Sequence, residues 1–128
     1  MLWSKAFETG IAKVDEQHKQ LFEQVDILMD KDNANRHKEV INFLDDYIVK
    51  HFSYEQQMHR ETKYPKAGEH KKMHDDYIVV FHKMKDKYFK EGATIMNNME
   101  INKTVVGWLK DHIMVHDKEF GTYCKSLD

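Results

Sequence analysis

Histidines and carboxylates recur in this chain at the spacing of one helix face. His51 and Glu55 are four residues apart, as are His70 and His74, and His112 is followed by His116 and Asp117. His18 stands alone in the first quarter of the chain. Residues four apart lie one above the other on an α-helix, so each pair can aim at one point. Three such sets and one single histidine predict four helices that each donate ligands to a shared interior metal site.

The rest of the chain supports helices. It has 128 residues, enough for one domain with a real core, and only one proline and five glycines interrupt it. Polar or breaker-rich turns fall at Lys31–Asn35, at Tyr64–Gly68, and more loosely from Glu91 to Asn98. They divide the chain into an N-terminal arm over 1–14 and four helices over roughly 15–30, 36–61, 67–90 and 99–115. Asp15 is the expected N-cap of the first helix. The apolar stripe of that helix is His18, Leu21, Phe22, Val25, Leu28 and Met29. The second carries Val40, Phe43, Leu44, Tyr47, Ile48, His51, Phe52 and Glu55. The third carries His70, Met73, His74, Tyr77, Ile78, Phe81 and Met84, and the fourth Ile101, Val105, Trp108, Leu109 and His112. Long amphipathic helices with short connections imply antiparallel neighbours. The expected fold is all-α, an up-down-up-down four-helix bundle with its extended arm pinned by Trp3 and Phe7.

Several classes of function are disfavoured. Charged residues make up 33% of the chain at a formal net charge of -2, and no Lys/Arg cluster tracks phosphates, so nucleic acid is not an expected partner. No apolar run approaches the roughly 20 residues of a membrane span, and the N-terminus lacks a signal-peptide core. The chain reads as a cytoplasmic monomer with no membrane insertion. Cys124 is the sole cysteine, which excludes an internal disulfide and a thiolate zinc site.

In the last three helices the ligand candidates sit on the apolar stripe. An unpaired ionisable side chain in a bundle core costs several kcal/mol, so a set of them there needs a common partner. Five imidazoles with carboxylates suit borderline first-row ions such as iron and exceed what one tetrahedral zinc takes. Six or seven ligands fit two metals bridged by carboxylates. The ferritin-type pattern of Glu-x-x-His pairs is not present; the order here is His-x-x-x-Glu.

The succession of His18, His51-Phe52-Ser53-Tyr54-Glu55, His70-Lys71-Lys72-Met73-His74 and His112-Ile113-Met114-Val115-His116-Asp117 resembles the hemerythrin family. Its flanks match as well, with Gly10-Ile11 and Asp15-Glu16-Gln17 before His18 and Trp108-Leu109 before His112. The resemblance covers nearly the whole chain and is nearest to the bacterial single-domain members. It implies two iron ions with an oxo or hydroxo bridge. His70, His74 and His112 would bind one iron, His18 and His51 the other, and Glu55 and Asp117 would bridge them. It further implies reversible binding of dioxygen at an open position on the second iron. Leu21, Phe52, Trp108 and Ile113 would line the oxygen pocket. Carriage, storage or supply of oxygen is the leading expectation, without catalysis. A di-iron peroxidase or nitric-oxide reductase, or a sensor acting through a partner, is the alternative. A respiratory or oxygenase protein would be the recipient.

One ligand divides the two lines of reasoning. Helix spacing favours His116 as the mate of His112, because Asp117 is rotated about 140° from His112 on a regular helix. The resemblance favours Asp117, which also supplies a second bridging anion. That choice requires a bulge or a helix end near Val115 to Asp117. His37, His59 and His82 are expected at the surface, and Tyr54 and Tyr77 as hydrogen-bonding neighbours of the ligands.

Overall fold

The computed structural model describes residues 3–30 and 35–127. Helix α1 spans Ala12–Met29, α2 His37–Glu61 and α3 Ala67–Glu91. The fourth rod is compound. It runs through α4 (Ile95–Ile101), a π-helical segment (Asn102–Gly107), α5 (Trp108–His112), a second π segment (Ile113–Asp117) and α6 (Lys118–Ser126). The backbone stays in the right-handed helical region at each junction, so the rod is unbroken. Helix α1 packs on α2, α2 on α3 and α3 on α4, the up-down-up-down bundle. Among the described residues there is no strand, and no helix is long and apolar enough to cross a membrane. The polar turn expected at Lys31–Asn35 falls, except for Asn35, outside the described residues.

The apolar stripes meet as one core of Phe22, Val25, Ile41, Leu44, Phe81, Val105 and Leu109, with aromatic and aliphatic neighbours. Burying each such side chain contributes roughly 1.5–3 kcal/mol. Met29 and Phe43 depart from their assigned stripes and are about 40% exposed (40% and 43%). Phe43 instead stacks on Tyr47, one turn along the same helix, at 5.5 Å.

Three boundaries differ from the spacing-based expectation. Helix α1 begins at Ala12, not at Asp15. Asp15 caps the arm instead: its carboxylate accepts hydrogen bonds from Thr9 N at 2.7 Å, Thr9 Oγ1 at 2.8 Å and Gly10 N at 3.2 Å. The arm is not wholly extended, since Lys5–Phe7 form a 3₁₀ turn. Phe7 is buried with its ring 5.3 Å from Phe22, and Lys19 Nζ sits 4.5 Å above the half-buried Trp3. The fourth rod starts earlier and ends later than 99–115. Thr94 caps α4 by accepting from Asn97 N at 3.0 Å, which draws Asn97 and Asn98 out of the expected turn. Beyond Asp117 the polar sequence hides a packed helix, with Phe120 and Gly121 buried and Tyr123 donating from its hydroxyl to Thr62 O at 2.6 Å.

Candidate metal centre

Seven side chains converge in the bundle interior: His18 from α1, His51 and Glu55 from α2, His70 and His74 from α3, His112 from α5, and Asp117 at the end of the second π segment. None is more than 4% exposed. Their ligand atoms form two groups, each with all members within 4.8 Å of one another. The first is Glu55, His70, His74, His112 and Asp117; the second is His18, His51, Glu55 and Asp117. The two carboxylates belong to both groups. Three histidines stand on one side of them and two on the other.

The π segment decides which of the two residues faces the cluster. Widening the helix over Ile113–Asp117 brings the fifth residue after His112 round to the interior face. Asp117 Oδ1 lies 3.2 Å from His112 Nε2 and 3.0 Å from His70 Nε2, and Oδ2 lies 3.0 Å from His18 Nε2. His116 points away and borders a solvent cavity of about 390 Å³ with Asp76, Asp111 and Trp108. The first π segment has a different role. A π turn leaves a carbonyl without its usual amide, and Tyr77 donates from its hydroxyl to Thr104 O at 2.9 Å. Tyr77 therefore serves the helix and does not hydrogen-bond a ligand as expected.

The residues that orient the ligands are two glutamines that the sequence reading overlooked. Gln17 Oε1 accepts from His51 Nδ1 at 2.7 Å, and Gln56 Oε1 accepts from His74 Nδ1 at 3.0 Å. A proton fixed on Nδ1 leaves the Nε2 lone pair aimed inward. The signal was available: each glutamine adjoins a ligand in sequence, Gln17 before His18 and Gln56 after Glu55. Aromatic faces hold other rings in place. Phe52 stacks on His74 at 3.7 Å and 2°, and Trp108 on His112 at 4.4 Å and 11°.

The donor set fits metal ions on its own chemistry. The Nε2 atoms of His70 and His74 lie 2.9 and 3.2 Å from His112 Nε2, and those of His18 and His51 lie 3.1 Å apart. A neutral imidazole has one N–H, so these nitrogens cannot all pair with one another. Both oxygens of Glu55 and Oδ1 of Asp117 are buried without a hydrogen bond of good geometry. Burial, then the charge of Asp117, holds the Glu55 carboxyl well above its ordinary range. Burial opposes ionisation of Asp117, but the facing imidazoles of His112, His18 and His70 outweigh it and hold that carboxyl well below. Burial lowers His51 to about 3 and depresses His74 further, keeping both neutral, as metal binding requires. At His70 burial is overcome by Asp117 and Glu55, which raise it to about 9. Cations in place of that proton would compensate both carboxylates.

Two of the three histidines assigned to the surface are interior. His37, at the start of α2, is 6% exposed because it faces the far end of α3, where its Nδ1 is 2.9 Å from the Tyr88 hydroxyl. His59 is 1% exposed. Its spacing held the clue, for it lies four residues after Glu55 and so on the same inward face. His82 is at the surface, 49% exposed, with Nε2 2.8 Å from Asp45 Oδ1. Leu21, Phe52 and Ile113 are buried, Phe52 against His74, whereas Trp108 is half-buried and reaches the cavity wall.

Comparison with known proteins agrees with this geometry. The family model described as the hemerythrin HHE cation binding domain matches residues 9–124. Bacteriohemerythrin from Methylococcus capsulatus is 31% identical over 125 residues, covering 94% of each chain. Bacteriohemerythrin from Clostridium acetobutylicum is 30% identical, covering 93% of this chain and 97% of its own. Hemerythrin from Themiste dyscrita is 40% identical over 76 residues, 59% of this chain and 64% of its own. A four-helix bundle that gathers five histidines and two shared carboxylates, matched along nearly its whole length, belongs to the hemerythrin family.

Proposed function

We propose that this chain binds dioxygen reversibly at a non-heme di-iron centre held by His18, His51, Glu55, His70, His74, His112 and Asp117. The observation that carries the reading is the lopsided donor set. Glu55 and Asp117 are common to both groups, with three histidines on one side and two on the other. The side with fewer histidines supplies fewer protein ligands, so a metal held there would be the one to take a small ligand. Iron ions held by the two groups, with Glu55 and Asp117 common to both, would supply the electrons that dioxygen takes up on binding.

The protein residues make that exchange reversible by holding the site still and dry. Gln17 and Gln56 lock His51 and His74 in the tautomer whose Nε2 faces inward. Leu21, Phe52 and Ile113, each no more than 2% exposed, keep water and stray protons from the ligands. Trp108 covers the outer face of His112.

The test is an absorption spectrum of iron-loaded protein in air and after oxygen is removed, with metal counted per chain. A visible charge-transfer band that vanishes and returns with oxygen, at two irons per chain, is expected. One iron per chain, or a band that never returns, would overturn the reading. The solvent cavity that reaches Trp108 and His112 favours a second reading, a di-iron peroxidase or nitric-oxide reductase. It predicts irreversible decay of the oxygenated protein with consumption of a reductant.

Sealing makes its own prediction. Leu21→Gln places an amide in the buried wall one turn after His18. Autoxidation of the oxygenated form should accelerate by about tenfold or more, equivalent to about 1.4 kcal/mol or more off the barrier, with two irons retained. Autoxidation at the wild-type rate, followed by the decay of the visible band, would remove Leu21 from the oxygen pocket.

A further inference from the structure

His59 has both ring nitrogens buried without a hydrogen-bond partner. An unpaired polar atom in such a place destabilises the fold, so a buried imidazole with neither nitrogen satisfied calls for a specific use. Its surroundings do not supply a packing reason. The ring stands edge-on to Phe120 at 4.3 Å and tilted to Tyr64 at 5.0 Å, a position any apolar side chain could fill. On its other side it meets the metal cluster. Nε2 is 3.7 Å from Glu55 Oε1, and the ring is 4.6 Å from that of His70. His51, Glu55 and His59 form a ladder at four-residue steps along α2.

We propose, building on the di-iron reading, that His59 is a positioning residue of the centre, donating a hydrogen bond from Nε2 to the bridging carboxylate of Glu55. Glu55 Oε1 faces His59 on one side and His70 Nε2, at 2.8 Å, on the other. A carboxylate shared by two metals must hold one rotamer, and no other residue on α2 has a donor on its His59 side within reach among the contacts observed. The gap of 3.7 Å is longer than a hydrogen bond, and such contacts shorten when the site is assembled. The proposal gives His59 a partner that no described surface group provides, and it extends the support supplied by Gln17 and Gln56 from the histidines to a carboxylate. His59 is also a wall, with Gln56, Arg60 and Gly68, of a solvent cavity of about 170 Å³.

The experiment compares wild type, His59→Leu and His59→Gln, each prepared metal-free and titrated anaerobically with ferrous iron, with thermal unfolding of both forms. Glutamine can present an N–H near the position of Nε2; leucine cannot. His59→Leu should bind iron about 10–100-fold more weakly, the usual loss when a group that orients a ligand is removed. Its metal-free form should melt at or above the wild-type temperature, because two unpaired buried nitrogens are gone. His59→Gln should recover most of the iron affinity. Iron affinity of His59→Leu equal to wild type would overturn the assignment. So would a loss in both variants that tracks a fall in metal-free stability, which would mark His59 as a packing residue. If wild type itself binds fewer than two irons, the di-iron reading fails, whatever the variants do.

Discussion

Gly121→Ala is expected to lower stability by about 3 kcal/mol and the unfolding temperature by about 10 °C, with or without metal. Gly121 is buried in α6 where the N-terminal arm crosses it. A Cβ there would lie 2.9 Å from the carbonyl carbon of Thr9 and closer still to its oxygen. The atoms met are backbone and cannot rotate away. Thr9 cannot retreat cheaply either, because its amide and hydroxyl both donate to Asp15, and Lys118 Nζ donates to Ala6 O at 2.9 Å. Relief requires lifting the arm, which exposes Phe7 and breaks those bonds. Gly68→Ala is the control with the opposite sign. Its Cβ would meet nothing within 4 Å, and it lies in the first turn of α3, so helix propensity should raise stability by roughly 0.5 kcal/mol. Differential scanning calorimetry of the two variants separates the effects. A Gly121→Ala protein that melts with wild type would mean that the arm is not seated on α6.

That contact also shows where sequence reasoning ran out. The bundle was legible because apolar residues at three- and four-residue steps mark the faces of α1, α2 and α3. The interior location of the ligands was legible for the same reason, since they occupy the stripes. Helix α6 was not, because its inward residues are Phe120 and a glycine, too few to form a stripe. A glycine chosen for close approach of another backbone carries no hydrophobic signal at all. Asp15 misled because a carboxylate at a helix start serves equally as N-cap or as an acceptor for the chain that precedes it. His59 was legible in principle, since it lies four residues after Glu55 and so on the same inward face of α2. His37 was not, because its partner Tyr88 lies at the far end of another helix, 51 residues on. The orienting glutamines adjoin the ligands in sequence, yet each serves a histidine on a different helix, a pairing that only the fold creates.

Asp117→Ala should abolish stable binding of two irons, whereas His116→Ala should leave two irons per chain. Spacing on a regular α-helix makes the reverse prediction, because His116 and not Asp117 would share a face with His112. The π segment over Ile113–Asp117 reverses the geometry, turning Asp117 inward to 2% exposure and leaving His116 half-buried on the cavity wall. Asp117 faces three ligand histidines, His18, His70 and His112, at 3.0 to 3.2 Å. Removing its carboxylate would take a ligand from both metal positions at once and one of the cluster's two anionic side chains. The loss should therefore exceed that from any single histidine, which serves one position. Metal content after anaerobic loading and gel filtration is the measurement, with far-UV circular dichroism to establish that both variants fold. Asp117→Asn gives the sharper comparison, since it keeps the shape and one oxygen but removes the charge; it should retain less than one iron per chain. If His116→Ala loses the metals and Asp117→Ala keeps them, the π turn does not select the ligand, and the inward face of the fourth rod follows ordinary helical spacing.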